Sequence, residues 1–300
     1  MLTEEKESVK VSVVMLTYNH RDYISQAIES VLAQLADFKI EVLIGDDASG
    51  DGTAQIVKEY AKRYPDIIRA TLREKNIGPA NNLVDLLKQC RGKYIAGCEG
   101  DDYWTDQNKL HIQVSFLEEN PSYIACTHDV SRVDREGNPL KDQKISWISE
   151  KREYGLEDFR GIFLPGHPVS VLHKNIFHAD CSPDTISRIH YTIADRTIAV
   201  MLACRGKIYR IPEIMAAYRI HTENKSNATH RIYSDFHSYL TDYELSKKLE
   251  MYIHENTGEN IVFSDFERNL VLRATLKFFF RPSLKNFTLL KKIYRIHFKG

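Results

Sequence analysis

Apolar positions in the first third of the chain follow two alternating periods. Val11-Ser12-Val13-Val14-Met15-Leu16 is a continuous, β-branched run, the pattern of a strand covered on both faces. The turn Thr17-Tyr18-Asn19-His20 separates it from Ile24, Ala27, Ile28, Val31 and Leu32, which share one stripe of a helix. Ile40-Glu41-Val42-Leu43-Ile44 predicts a second strand. The run from Gly45 to Thr53 ends it, and a helix with Ile56, Val57, Tyr60 and Ala61 inward stops at Pro65. Ile68–Leu72 and Tyr94–Cys98 predict two more strands, with a helix over Ala80–Cys90 between them. Repeated β-α units of this length predict an α/β fold, a mostly parallel sheet flanked by helices.

The second half reads less sharply. A helix over Asn108–Leu117 closes at Asn120-Pro121, Ile124–Val130 predicts a strand, and Asp134-Arg135-Glu136-Gly137-Asn138-Pro139 is a turn. Residues 140–165 are mixed and polar and define no element. A helix over Ile193–Cys204 and a strand over Lys207–Ile211 follow, and from Ser234 the pattern is helical, divided at Pro282. The implied organisation is a catalytic α/β domain over residues 1–225, in halves 1–130 and 131–225, and a helical region over 226–300.

At 300 residues, 43% hydrophobic and 27% charged, the chain has the make-up of a globular protein. No apolar run reaches the ~20 residues of a membrane-spanning helix, and the polar start MLTEEKESVK is not a secretory signal. Cys90, Cys98, Cys126, Cys181 and Cys204 form no CxxC pair and are odd in number. They read as reduced, buried small hydrophobes in a cytoplasmic protein. Basic and acidic residues balance at 41 each, which argues against a nucleic-acid binder relying on bulk charge. Nine basic residues and no acid lie between Arg268 and the end. That leaves 32 basic against 41 acidic residues, a charge of −9, in residues 1–267.

Two predicted strands end in acidic pairs, Asp46-Asp47 and Asp101-Asp102, the latter within Glu99-Gly100-Asp101-Asp102. In an open parallel sheet, ligands bind beyond the carboxyl ends of the strands. Carboxylates gathered there call for a divalent cation bridging a diphosphate, since magnesium and manganese prefer oxygen ligands. The plainer reading, a carboxylate or hydroxyl capping the next helix, suits Ser49 and Asp51 better.

These blocks, in order, resemble glycosyltransferase family 2, the nucleotide-sugar-dependent transferases of GT-A fold. The matching segments are Val11–Asn19, Glu41–Thr53, Asn76-Ile77-Gly78 with Asn82, and Gly92–Trp104. The agreement is strong over about residues 9–130. It continues more weakly to Tyr218-Arg219-Ile220-His221, about three-quarters of the chain in all.

The resemblance implies that Thr17, Tyr18 and Asp46 or Asp47 hold the nucleobase and ribose of the donor. It implies that Asp101 and Asp102, unranked, match the family's metal-binding DXD motif for manganese or magnesium; the motif's first position here is Glu99, a departure on the ribose side. Asp195, in Ile193-Ala194-Asp195-Arg196-Thr197, matches the usual base of inverting members, with Asp184 and Asp180 as fallbacks; capping its helix or pairing with Arg196 is the plainer role. Arg219 and His221, followed by Ser226, match a segment that closes over the donor diphosphate in relatives, chemistry suited to a guanidinium and an imidazole. His167 falls where relatives line the acceptor pocket, and Trp104 either stacks on sugar or packs in the core.

The expected function is metal-dependent transfer of a sugar from a nucleoside diphosphate to a hydroxyl of a saccharide or lipid-linked acceptor. It is an inverting transfer in cell-surface polysaccharide synthesis, in the cytoplasm. Two rivals are a sugar-nucleotide nucleotidyltransferase and a non-catalytic nucleotide-sugar-binding module. The first wants a glycine-rich phosphate loop after the first strand, where Thr17-Tyr18-Asn19-His20-Arg21 has no glycine. A dinucleotide dehydrogenase is disfavoured because no GxGxxG follows that strand. The basic tail, with Leu284, Phe287, Leu290, Ile293 and Tyr294 among its lysines and arginines, has two readings. It is a helix on the inner face of an anionic membrane, at about 1 kcal/mol per basic residue, or a helix packed on the protein with a solvated charged face.

Overall fold

Strand β1 (Val9–Thr17) pairs in parallel with β2 (Lys39–Asp46) and β4 (Tyr94–Gly97), and β2 pairs in parallel with β3 (Ile68–Leu72). The helices α1 (Ile24–Leu32), α2 (Thr53–Arg63) and α3 (Pro79–Leu87) connect them. Val11, Val13 and Met15 are buried with Ile24, Ile28 and Val31, so the strand and helix periods meet in one core. The computed structural model describes residues 8–161, 163–177, 181–191, 193–221 and 237–299. It divides into two units: residues up to Leu156 with Leu164–His221, and Glu157–Phe163 with the chain from Thr222 onward.

Local chemistry explains where the elements start and stop. Gly52, at φ 103°, is the N-cap of α2 and carries no side-chain cap. Asp51, expected to cap, stands one place before it, and its Oδ1 accepts bonds from the amide and hydroxyl of Thr53, the first helical residue. Ser49 does not cap; its hydroxyl binds Asp46 and accepts the Asn19 amide. Helix α3 opens with Pro79 at its first position and ends at Leu87, short of the expected Cys90.

The first unit continues with β5 (Tyr103–Trp104), α4 (Lys109–Glu119), β6 (Tyr123–Val133), β7 (Glu153–Tyr154), β8 (Leu172–Lys174), α5 (Asp184–Ile189), α6 (Asp195–Ala203) and β9 (Lys207–Arg219). The nine-stranded sheet runs β3-β2-β1-β4-β8-β6-β9-β5, with β7 also on β9. Its first four strands are parallel. Beyond them it is mixed: β8 is antiparallel to β4 and β6, β9 is parallel to β6, and β5 and β7 are antiparallel to β9. Strand β9 runs eight residues past the expected Ile211. The ladder skips from Ile211 to Ile214, so Pro212, which lacks an amide hydrogen, sits in a bulge and the pairing resumes. Cys90, Cys98 and Cys126 are buried as expected; Cys181 and Cys204 are partly exposed.

In the second unit, α7 (His237–Thr257), α8 (Ser264–Phe280) and α9 (Leu284–Lys299) pack around Leu240, Tyr243, Leu270, Ala274 and Ile293. Pro282 stands in the gap between α8 and α9, as its backbone requires. Among the described residues no helix is long and apolar enough to cross a membrane.

Candidate active site

The register of the parallel strands brings the acidic segments to one edge. Thr17, the last residue of β1, pairs with Asp46, the last of β2. The Gly100 amide donates to the Leu16 carbonyl, and a Cβ on Gly100 would lie 2.8 Å from Thr17 Oγ1 and 3.0 Å from His20 Nδ1. Only glycine permits this approach. Asp46 and Asp101 therefore border a common rim.

Asp46 and Asp47 are buried, and all four of their carboxylate oxygens accept bonds from within the chain. Asp46 takes the amide and hydroxyl of Ser49, at 3.0 and 2.5 Å. Asp47 takes the amides of Ile77 and Gly78, at 2.8 and 2.9 Å. Through these bonds they hold the loops around the rim, and each oxygen keeps a second lone pair as an acceptor. Tyr18 is half exposed beside them, and Thr17 Oγ1 is buried with no partner.

Asp101 Oδ2 lies 2.9 Å from His221 Nε2 and 3.6 Å from His20 Nε2. Burial pushes this carboxyl up, but His20 and the His221 hydrogen bond outweigh it and hold Asp101 at about 2. His20 has no assigned role in the sequence reading; its signal is the spacing of three from Thr17 at the end of β1.

Asp102 is buried, and its two oxygens differ. Oδ1 accepts the Arg219 amide at 2.8 Å, while Oδ2 has no hydrogen-bond partner. His167 Nδ1 lies 3.7 Å from Oδ2 but accepts the Val169 amide, so it has no proton to give. Burial lowers His167 to about 3, leaving the ring neutral. Burial, then Asp101 and Glu99, push the Asp102 carboxyl well above its usual range. Glu99 is raised to about 8 by burial and by the charges of Asp101 and Asp195. Three mutually repelling carboxyls, one with an orphaned oxygen, fit a hard divalent cation. Among the described residues no three His, Cys, Asp or Glu side chains form a cage. Magnesium and manganese need none, since one or two carboxylates with substrate phosphates suffice.

Arg219 requires a correction. It is buried, and Nε donates to the Asp101 carbonyl, Nη1 to the carbonyls of Asp134 and Arg135, and Nη2 to Gln26 Oε1. Tyr23 and Tyr103 flank it at 4.7 and 5.3 Å. The guanidinium ties β9 to the acidic segment instead of reaching for phosphate. His221, two residues on, keeps its place beside Asp101. Ser226 and Asp180 lie outside the described residues.

Asp195 opens α6, and its Oδ1 accepts the Arg196 amide at 2.8 Å. It lines a largely apolar cavity of about 120 Å³ with Glu99, Gly97, Gly166 and Ala199. The fallback Asp184 is half exposed and paired with Lys88 at 2.6 Å, away from this wall. Trp104 proves to be core, its indole donating to the Val169 carbonyl. Trp147, from the stretch the sequence leaves undefined, is the partly exposed tryptophan. It packs on His167 at 5.5 Å, and His167 packs on Tyr218 at 4.0 Å.

Comparison with known proteins agrees with this geometry. A family model, Glycosyl transferase family 2, matches residues 12–180. An uncharacterised protein of Mycobacterium tuberculosis is 37% identical over 226 residues, 75% of this chain and 62% of that protein, so the chain spans less than two thirds of its relative. A Bacillus subtilis protein carrying the name teichuronic acid biosynthesis glycosyltransferase TuaG is 35% identical over 130 residues, 43% of this chain and 50% of its own. Staphylococcus aureus TarS 1-349, solved with UDP-GlcNAc, superposes with a TM-score of 0.67 at 18% identity, covering 95% of this chain and 79% of TarS. The mannosyltransferase PcManGT of Pyrobaculum calidifontis, solved with GDP-Man and Mn2+, gives 0.53 at 18% identity over 97% and 81%. The two solved structures fix the fold as GT-A-like, and the family match, over more than half the chain, makes the protein a glycosyltransferase of family 2.

Proposed function

We propose that the chain transfers a sugar, with inversion, from a nucleoside diphosphate to a hydroxyl of a saccharide or lipid-linked acceptor. The transfer depends on manganese or magnesium and serves cell-surface polysaccharide synthesis. It takes place in the cytoplasm, with peripheral membrane contact through the basic C-terminal helices. Catalysis belongs to residues 1–225, with the donor in 1–130. The observation that carries this reading is the orphaned Oδ2 of Asp102 beside Asp101, at the rim shared with Thr17 and Tyr18. The relatives' names support a polysaccharide product, and the nucleotide sugars and manganese in the solved neighbours support the donor and the ion.

Asp102, with Asp101, would hold the cation, which when bound supplies Lewis-acid stabilisation of the leaving diphosphate. His221 and His20 keep Asp101 charged and oriented. Tyr18 offers an exposed ring for the nucleobase. Asp195 takes the proton from the acceptor hydroxyl as its oxygen attacks the anomeric carbon, and the diphosphate departs from the opposite face. The wall behind Asp195 is largely apolar, which leaves the carboxylate as a polar group there for the acceptor hydroxyl.

Thermal-shift titration with UDP, GDP and dTDP, with and without manganese, tests the reading directly. A metal-dependent rise with one of them is expected, lost in Asp102→Ala and kept in Asp195→Ala, which in turn abolishes transfer. No rise with any diphosphate would overturn the donor assignment; undiminished transfer in Asp195→Ala would remove it as base.

A further inference from the structure

Helix α9 is apolar on two faces, so each of the two readings of the tail has a face to draw on. Ile293 is buried, and Leu289, Leu290 and Ile296 pack with it against the core of the helical unit. Leu284, Phe287, Tyr294 and Phe298 point outward instead, at spacings of three, seven and four, with the exposed Lys291 filling the gap. Leu284 is 83% and Phe298 73% exposed. Helix α8 does the same: Leu272, Leu276, Phe279 and Phe280 lie on one outward stripe, the last two 73% and 84% exposed. The α9 stripe touches the flank of α8: the Tyr294 and Thr275 hydroxyls are 3.0 Å apart and the Phe278 and Phe287 rings 6.0 Å apart.

Outward aromatic stripes of this extent are unusual on a soluble surface and mark an interaction face. Their surroundings select the partner. Arg273, Arg281, Lys291 and Arg295 are exposed along the same two helices, and no acidic residue follows Glu267. A second copy would bring two such positive faces together. A nucleic acid would meet the charge but leave Leu272, Leu276 and Leu284 in water. An anionic bilayer satisfies both features, taking the apolar stripe at the level of the acyl boundary and the bases among its phosphates.

We propose that α8 and α9 form a monotopic docking face for anionic phospholipid, seated through Leu276, Phe279, Phe280, Leu284, Phe287 and Phe298. Such docking rests on the membrane contact proposed for this region and needs nothing from the transfer chemistry.

Flotation of the full chain with vesicles of phosphatidylcholine, alone or with one third phosphatidylglycerol, tests it. Binding to the anionic vesicles is expected to be at least about tenfold tighter and to weaken with salt. The double variant Phe279→Ser, Phe280→Ser loses about tenfold or more. Lys291→Gln and Arg295→Gln lose about fivefold each. These side chains lie outside the buried core, so the thermal midpoint and any rise with nucleoside diphosphate stay at wild-type values, separating loss of docking from failure of the donor reading. Equal binding to neutral vesicles, or wild-type binding by the serine variant, overturns the proposal. So does a dimer in solution that the serine variant makes monomeric, because the face then belongs to a second copy.

Discussion

The Asp102 carboxylate and the Arg219 amide meet at 2.8 Å, which joins the acidic segment to the end of β9 and commits one oxygen of Asp102 to the fold. The other oxygen faces a neutral His167 that cannot donate to it. In Asp102→Asn the amide oxygen keeps the Arg219 bond, and a neutral group replaces a carboxyl whose charge is opposed by burial, Asp101 and Glu99. The variant is therefore expected to gain about 1 kcal/mol in urea denaturation, while the manganese-dependent thermal shift with nucleoside diphosphate disappears. A shift of wild-type size in this variant would place the cation elsewhere.

Arg219 yields the opposite pattern. Its guanidinium binds three backbone carbonyls and Gln26 in a buried setting. Lysine cannot reproduce that fork, so Arg219→Lys is expected to cost about 2–4 kcal/mol of stability. Below its lowered melting temperature, the variant still shows the donor-dependent shift. Wild-type stability together with lost donor binding would restore a phosphate-gripping role.

The difference between Asp102 and Arg219 shows what a sequence can and cannot disclose. The β-α periods locate the first four strands, and the acidic pairs beyond them follow, because strand register and the close approach of Gly100 to Thr17 carry Asp46 and Asp101 to one rim. What lies beyond depends on contacts distant in sequence. Arg219 looks like a phosphate ligand until Asp134, Arg135 and Gln26 close around it. The Pro212 bulge hides the second half of β9, since a proline reads as an end. Three-residue β8 has too few positions to show a period.

The two tryptophans should separate in the same way. Trp104→Ala opens a cavity in the core and is expected to cost about 3–5 kcal/mol. Trp147 is partly exposed and packs on His167 near the acidic rim, offering a face to the apolar side of a pyranose. Trp147→Ala is expected to raise the KM for acceptor about tenfold or more while leaving the diphosphate-dependent thermal shift intact. An unchanged KM would confine Trp147 to packing.

Lys109 carries a pH dependence whose sign can be worked out. Its Nζ is buried, donates to Gln113 Oε1 at 2.7 Å and lies 4.1 Å from the centre of the Trp104 ring. Cys98 and Cys126 face it, both thiols pushed up by burial and so neutral, and the buried His128 stays neutral as well. With no counter-charge, burial lowers Lys109 to about 7. The unfolded chain keeps its ordinary value near ~10.4. Between these values the unfolded state holds a proton that the native state lacks, so this group makes stability rise with pH; below about 7 its full penalty is present. Lys109→Met keeps the bulk and removes the charge. The variant should exceed wild type in urea midpoint at pH 6, and the gap should narrow steadily towards pH 10. A gap that stays constant from pH 6 to pH 10 would mean that Lys109 keeps its proton in the native state across that range, with Trp104 and Gln113 stabilising it.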